Sequence, residues 1–349
     1  MKTRQICFFF ISFMPVLKVF AMPSALVRNC GRDLLFVYAL SFSLDFLVLQ
    51  AILVTAKRKK DLYDQLLPRI KTAPTKIIYF LYALFFIIKC LYYASEQRVY
   101  IELSLYQTET HLLTFLPFFL FGFYVSTKRI KAIARLSDVT AVLSALSVII
   151  LILLSFSSGN YLTFMPLLRT GTKPFFKGLS ASLLWGGDAV YLLFVSKDLV
   201  FEKNARLKIN LSYLFSGVLV MLFLAVFYAI FGGLGQEKIF AFAEISAYSV
   251  FLSNTARFDY FAIFLLLASS VVASTLPLLF ATVCLKKVFA FKRDFTVALI
   301  PVSIVFVFIT IFNDKSHVLL DTVYLFFPFV AIAFNYLLPT LSVFLKVKK

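Results

Sequence analysis

Long apolar runs separated by short basic segments recur along the whole chain, and this pattern restricts the fold more than any single motif. Each run is long enough to cross a hydrocarbon core about 30 Å thick, which takes roughly 18 or more residues. Strands of about 10 alternating residues, the mark of a membrane barrel, are not seen. Apolar residues make up 61% of the chain and charged residues 15%. Mean hydropathy is +0.92. No soluble interior hides that much apolar surface. The expected class is therefore an all-α polytopic membrane protein.

Ten spans are expected, over 6–27, 33–56, 77–101, 111–127, 137–158, 176–196, 209–233, 257–285, 295–313 and 318–345. The positions of the charges orient them. With the N-terminus in the cytoplasm, 24 of the 35 basic residues fall on the cytoplasmic side and nine outside, while Lys18 and Lys89 lie within spans. An even number of spans keeps both termini cytoplasmic. The net charge of +18 thus reads as a topology signal in short loops, and no nucleic-acid partner is expected. The N-terminal stretch also has the basic start, apolar run and small residues of a signal peptide. Pro15 and Lys18 interrupt that run, so a first span is the favoured reading.

Other features carry less chemistry. Cys7, Cys30, Cys90 and Cys284 have no metal or redox spacing, and His111 and His317 are far apart, so neither a metal nor a cofactor is expected. The 57–76 connection, with Pro68 and Pro74, reads as a basic amphipathic or irregular segment against lipid headgroups. Residues 234–256 read as an amphipathic helix along the outer interface. Ser269, Ser270, Ser274 and Thr275 read as packing residues, Glu96 and Arg98 as interfacial anchors, and Asp45 as a bundle-facing carboxylate.

The sixth expected span holds the strongest functional signal. Its sequence SLLWGGDAVYLLF, residues 182–194, puts Gly186, Gly187 and Asp188 in the middle of an apolar run. Broken backbone is tolerated at membrane depth only inside protein or beside a water-filled cavity. A carboxylate facing lipid is costly. The first span carries a matching interruption, with Pro15 and Pro23 flanking Lys18. Paired interruptions at corresponding positions of two halves point to a transporter's central site. They predict a 5+5 inverted repeat, with halves 1–158 and 159–349 and broken first and sixth helices.

Half-helix ends attract charged ligand groups, which suits an amino acid. The candidate ligand-binding residues are Lys18, Val19, Phe20, Ala21, Tyr92, Leu184, Trp185, Gly186, Gly187 and Asp188. Lys18 and Asp188 are also the candidates for ion or proton coupling, as a charge pair across the site. On the third span, Lys89, Tyr92, Tyr93 and Glu96 recur at helical spacing, and Lys89 and Glu96 share a face.

Three stretches carry a family resemblance. AMPSALVRNCGRDLLF holds Pro23, Gly31, Asp33 and Phe36. RIKAIARLSDV holds Ala134 and Arg135, and SVFLSNTARFDYFAIFLLLASSV holds Arg257 and Asp259. Together they resemble the spore germination permease family, the B subunits of GerA-type germinant receptors, within the amino acid–polyamine–organocation transporters. The stretch near the first break departs from the family's glycines, with Val16, Lys18 and Phe20 in their place.

The resemblance implies a LeuT-like fold of ten helices in a cell membrane or spore inner membrane. It also implies a small nutrient ligand, an A-type membrane subunit and a C-type lipoprotein as partners. The rival function is a proton-coupled amino acid permease. A lipid-linked sugar enzyme or flippase is disfavoured, because no nucleophile, metal or phosphate-binding motif is found, and no enzyme is expected.

Overall fold

The structure, a computed structural model, describes residues 1–101, 115–128, 130–165, 171–248, 258–291, 293–311 and 327–344. The described elements are helical, as lipid requires of a chain with no closed barrel. Thirteen α-helices order the description. The first half holds α1 (Thr3–Phe13), α2 (Met22–Cys30), α3 (Leu34–Ala56), α4 (Leu62–Ile70), α5 (Thr72–Ile101), α6 (Leu116–Thr127) and α7 (Ile130–Ser155). The second holds α8 (Thr172–Leu184), α9 (Ala205–Phe231), α10 (Ala241–Tyr248), α11 (Phe258–Phe289) and α12 (Asp294–Ile311). It ends with α13 (Phe327–Ser342), whose middle, Ala333–Leu337, winds as π-helix.

Among the described residues, six helical stretches are long and apolar enough to cross a membrane: Met22–Ala56, Thr72–Ile101, Ile133–Ser158, Ala205–Glu237, Ile263–Phe289 and Asp294–Ile311. Two shorter apolar helices, α6 and α13, accompany them. Large side chains such as Leu47, Leu120, Leu153, Phe264 and Phe329 stand exposed. On a soluble protein that surface would aggregate, but here it faces hydrocarbon.

The chain breaks where the sequence is least helical. α1 ends at Phe13, a single 3-10 turn covers Val16–Lys18, and α2 restarts with Pro23 in its first turn. Proline is tolerated there because its missing N–H falls among groups that have no partner inside the helix. α8 ends at Leu184, and Gly187 takes φ +80°. Residues Asp188–Phe194 continue as a 3-10 helix. A side-chain-bearing residue at that φ is strained by about 1–2 kcal/mol.

Packing brings the two breaks together. α2 lies against α8, and α3 lies against both α8 and the 188–194 segment. α11 runs along α5 and also touches α6 and α7, while α1 packs on α7 and α9. Buried hydroxyls join helices at Ser12–Thr140 and Ser41–Ser182, both 2.6 Å. Before α1, the chain is strapped to the segment after the second break. Val200 N–H donates to Met1 O at 2.9 Å, and Glu202 N–H donates to Thr3 Oγ1 at 3.0 Å.

The structure refines several expectations. Of the two forms expected for the 57–76 connection, amphipathic or irregular, it holds an amphipathic helix, α4, whose Leu62, Gln65 and Leu66 are buried against the protein. Leu62 and Leu66 lie one turn apart and give it an inward face. The described part of 234–256 packs against the protein. Gly232–Glu237 is a 3-10 turn, and α10 buries Ala241, Phe242, Ile245 and Ser246. Its Ala241 N–H donates to Phe20 O at 3.1 Å, closing a carbonyl freed by the first break.

Arg98 is not an interfacial anchor. It is 8% exposed and donates to Ile309 O at 3.4 Å. Glu96 is held by Tyr92 Oη and does not stand in the interface alone. Ser269, Ser270, Ser274 and Thr275 are fully buried and hydrogen-bond their own helix's carbonyls, with Ser274 also donating to Gln97. His111, His317 and Arg257 lie outside the described residues, as does the side chain of Asp259.

Candidate functional site

The two breaks meet at an ion pair. Lys18 Nζ lies 2.8 Å from Asp188 Oδ2, and the two side chains are 3% and 4% exposed. Pro15 stops α1 and turns Lys18 inward, while Gly186 and Gly187 stop α8 and place Asp188 opposite. A second carboxylate joins from α3, with Asp45 Oδ2 at 4.0 Å from Lys18 Nζ. Asp45 Oδ1 accepts the Gly187 N–H at 3.0 Å and the Tyr336 hydroxyl at 2.6 Å.

The carbonyl side of the same break is also covered. Lys89 Nζ donates to Gly186 O at 3.1 Å, and Asn335 Nδ2 donates to it at 3.2 Å. The break thus satisfies its backbone with side chains from α3, α5 and α13. Unpaired backbone groups are costly at membrane depth, and these contacts remove that cost.

Neither glycine can be replaced without moving this cluster. A Cβ on Gly186 would run into the Tyr336 hydroxyl and the Asp45 carboxylate, and one on Gly187 into Asn335. Gly187 also needs its positive φ. The glycines therefore allow both the close approach and the turn.

Aromatic rings enclose the charges. The Lys89 ammonium lies 5.5 Å from the Tyr191 ring centre and 5.9 Å from that of Tyr93. Trp185 and Tyr92 meet edge to face at 5.9 Å, and the Trp185 indole interacts with the Glu96 carboxylate. Phe20 packs edge to face on Tyr100 at 4.9 Å. The hydroxyls of Tyr38, Tyr93, Tyr191 and Tyr213, all buried, have no hydrogen-bond partner among the described residues. All four lie within electrostatic reach of Asp188. Buried polar groups left open in this way suit water or a ligand.

The structure brings most of the expected residues to one place. Lys18, Gly186, Gly187 and Asp188 form the charged centre. Trp185 and Tyr92 stand beside it, and Leu184 ends α8 as a buried wall. Val19, Phe20 and Ala21 continue the first break, Val19 and Phe20 buried and Ala21 partly exposed. Phe20 offers a ring and a carbonyl already bonded to α10.

Sequence reasoning placed Asp45 toward the bundle as a hydrogen-bonded carboxylate, as found, but missed the roles of Lys89, Asn335 and Tyr336. Asp45 and Lys89 had a signal, because each is an ionisable residue within an apolar span. Asn335 and Tyr336 sit in the expected last span, where an amide in the run AIAFNYLL is the one polar cue. Among the described residues no group of three His, Cys, Asp or Glu is placed to hold a metal ion.

Interrupted helices around a buried charge cluster, within a bundle of membrane-length helices, define a multi-pass membrane protein of permease type. The family model described as spore germination protein, a permease family, matches residues 36–318. The match covers most of the chain, which belongs to that family. It begins after the first break, so Lys18, Pro23, Gly31 and Asp33 lie outside the matched residues. No curated protein matches the chain.

Proposed function

We propose that this germination-family membrane protein binds a small nutrient, an amino acid, between its two helix breaks and takes part in triggering spore germination. The observation that carries this reading is the buried Lys18–Asp188 pair, which joins the two breaks at 2.8 Å. Ion pairs at membrane depth are expensive to build and mark ligand or ion pathways. Ligand charge can replace or rearrange such a pair, and either partner can carry a coupling proton.

The same reading includes a ten-span, LeuT-like arrangement of two five-helix inverted repeats with both termini cytoplasmic. It places the protein in the spore inner membrane or cell membrane, with an A-type membrane subunit and a C-type lipoprotein as partners. The position of the breaks, one in each half, supports the repeat. The charge asymmetry of the loops supports the orientation.

Thermal stability of the purified protein against amino acids, nucleosides and sugars tests the reading. A ligand that binds only the folded state raises the melting temperature by mass action. The expected result is an amino-acid hit that disappears in Asp188→Asn and Lys18→Met. A hit that survives both changes places the ligand elsewhere. Net uptake into proteoliposomes by this chain alone would favour a proton-coupled permease over a receptor subunit.

A further inference from the structure

Two ionisable groups on α5 stand outside the ion pair that joins the breaks. Lys89 is 2% exposed, and its ammonium contacts the Gly186 carbonyl and two tyrosine rings. Among the described residues no carboxylate is ion-paired with it. Glu96 is the converse, a carboxylate with no ion-paired cation among the described residues. It is held by the Tyr92 hydroxyl and interacts with the Trp185 indole.

The two groups lie seven residues apart on one helix face, an axial rise of about 10 Å. Lys89 lies deep, whereas Glu96 and Tyr92 are partly exposed. Beside Lys89 lie Tyr93 and Tyr191, each 2% exposed, whose hydroxyls have no hydrogen-bond partner among the described residues. The amide oxygen of Asn335, 1% exposed, is also unpartnered. This face of α5 therefore presents a deep cation, a shallower anion and open neutral acceptors and donors.

From this arrangement we infer that Lys89 and Glu96 are the two poles of the nutrient site and select a zwitterionic α-amino acid. The Lys89 ammonium takes the ligand's carboxylate, and the Glu96 carboxylate takes its ammonium. An α-amino acid carries its carboxylate and its ammonium on one carbon, so a cation and an anion on one helix face can each take one of them through a charge-assisted hydrogen bond. Lysine's four-carbon stem lets the ammonium re-aim from the Gly186 carbonyl. The unpaired hydroxyls of Tyr93 and Tyr191 gain partners on binding. The opposing reading makes Lys89 only a long-range counter-charge for Asp45 and Asp188, with Glu96 satisfied by its neutral neighbours. The inference rests on the nutrient-binding reading above and adds the ligand's orientation and charge class.

The test uses the full-length protein in detergent and thermal-shift titration with the twenty standard α-amino acids. The best stabiliser is then compared with its N-acetyl derivative, which lacks the ammonium, and its carboxamide, which lacks the carboxylate. The expected wild-type result is binding of the free amino acid at least about 10-fold tighter than either blocked form. Glu96→Gln then weakens the free amino acid about 10-fold and leaves the N-acetyl form unchanged. Lys89→Met does the same for the free form and leaves the carboxamide unchanged.

Because Lys89 is buried, Glu96→Gln at the partly exposed end is the decisive variant should Lys89→Met fail to fold. Equal weakening of free and blocked forms would make both residues structural and overturn the inference. A hit abolished by Asp188→Asn but indifferent to Glu96→Gln overturns it while sparing the nutrient-binding reading. Stabilisation by a sugar or nucleoside and by no amino acid overturns it as well. No stabiliser of any class overturns both.

Discussion

Asp45 on α3 accepts the backbone N–H of Gly187 at 3.0 Å, so a carboxylate from the second expected span caps the helix break of the sixth. The same oxygen also takes the Tyr336 hydroxyl. Asp45→Asn keeps an acceptor for both donors, whereas Asp45→Ala removes it and leaves the Gly187 N–H unsatisfied. Losing a buried partner costs about 1–3 kcal/mol. Melting temperatures of the two variants should therefore rank wild type, then Asn, then Ala. If Asn and Ala prove equal, the capping role of Asp45 is wrong.

The Lys18–Asp188 pair should show strong coupling. Removing one partner of a buried pair costs about 3–5 kcal/mol, because the other charge is left uncompensated. Lys18→Met and Asp188→Asn should each lower the melting temperature substantially. The double variant should be less destabilised than the sum of the singles. Reversal of both charges together should restore ligand response if the pair acts as a unit. Additive losses, measured as a double-mutant cycle, would show that the two residues act independently.

Gly187→Ala meets two obstacles at once, a positive φ and contact with Asn335. The backbone strain alone is about 1–2 kcal/mol. The combination should lower the yield of monodisperse protein on size-exclusion chromatography. Asn335→Gly in the same background removes the side chain that the new Cβ meets, together with its hydrogen bond to Gly186 O. It should recover part of the loss, and full recovery would show that the φ does not matter.

Outside the membrane, Asp61 stands just ahead of α4 and accepts the Lys197 N–H at 2.9 Å. Burial pushes its carboxyl above the ordinary value of 3.8, with the Lys197 hydrogen bond and the Lys287 charge opposing. The folded state therefore holds this proton more tightly than the unfolded chain. Its contribution to stability is present below pH 3.8 and is lost as pH rises through the folded value. Asp61→Asn keeps the acceptor and should flatten that part of the stability–pH curve. A curve unchanged by the substitution would refute the assignment.

The strap at the start of α1 offers a fifth handle. Thr3, fully buried, accepts the Glu202 N–H through its hydroxyl. Thr3→Val preserves shape and removes the acceptor, so a loss of about 1 kcal/mol is expected. Limited proteolysis near residue 200 should become faster in that variant. An unchanged cleavage rate would mean that the strap does not hold the segment.

Much of this organisation was legible because membrane physics speaks through local sequence. Apolar run length announces helices, and Pro15, Pro23, Gly186 and Gly187 announce where they stop. Lys18 and Asp188 stood out because charge in an apolar run has a cost that needs a reason. Glu96 and Arg98 were misread, since interfacial and buried positions share the same mixed composition near a span's end. Periodicity reports which face a residue occupies, not what lies opposite.

By itself, the sequence determined that the chain is helical and membrane-embedded and that two of its segments are interrupted around Lys18 and Asp188. Only the tertiary structure decided that those segments meet, that Asp45, Lys89 and Asn335 close the broken backbone, and that four tyrosine hydroxyls around them have no partner among the described residues. The physical reason is range. Hydrogen bonding and hydrocarbon burial act within a few residues and leave a local signature. The contacts of the site join residues such as Lys18 and Asp188, 170 positions apart, and the packing of the whole bundle alone brings them within 2.8 Å.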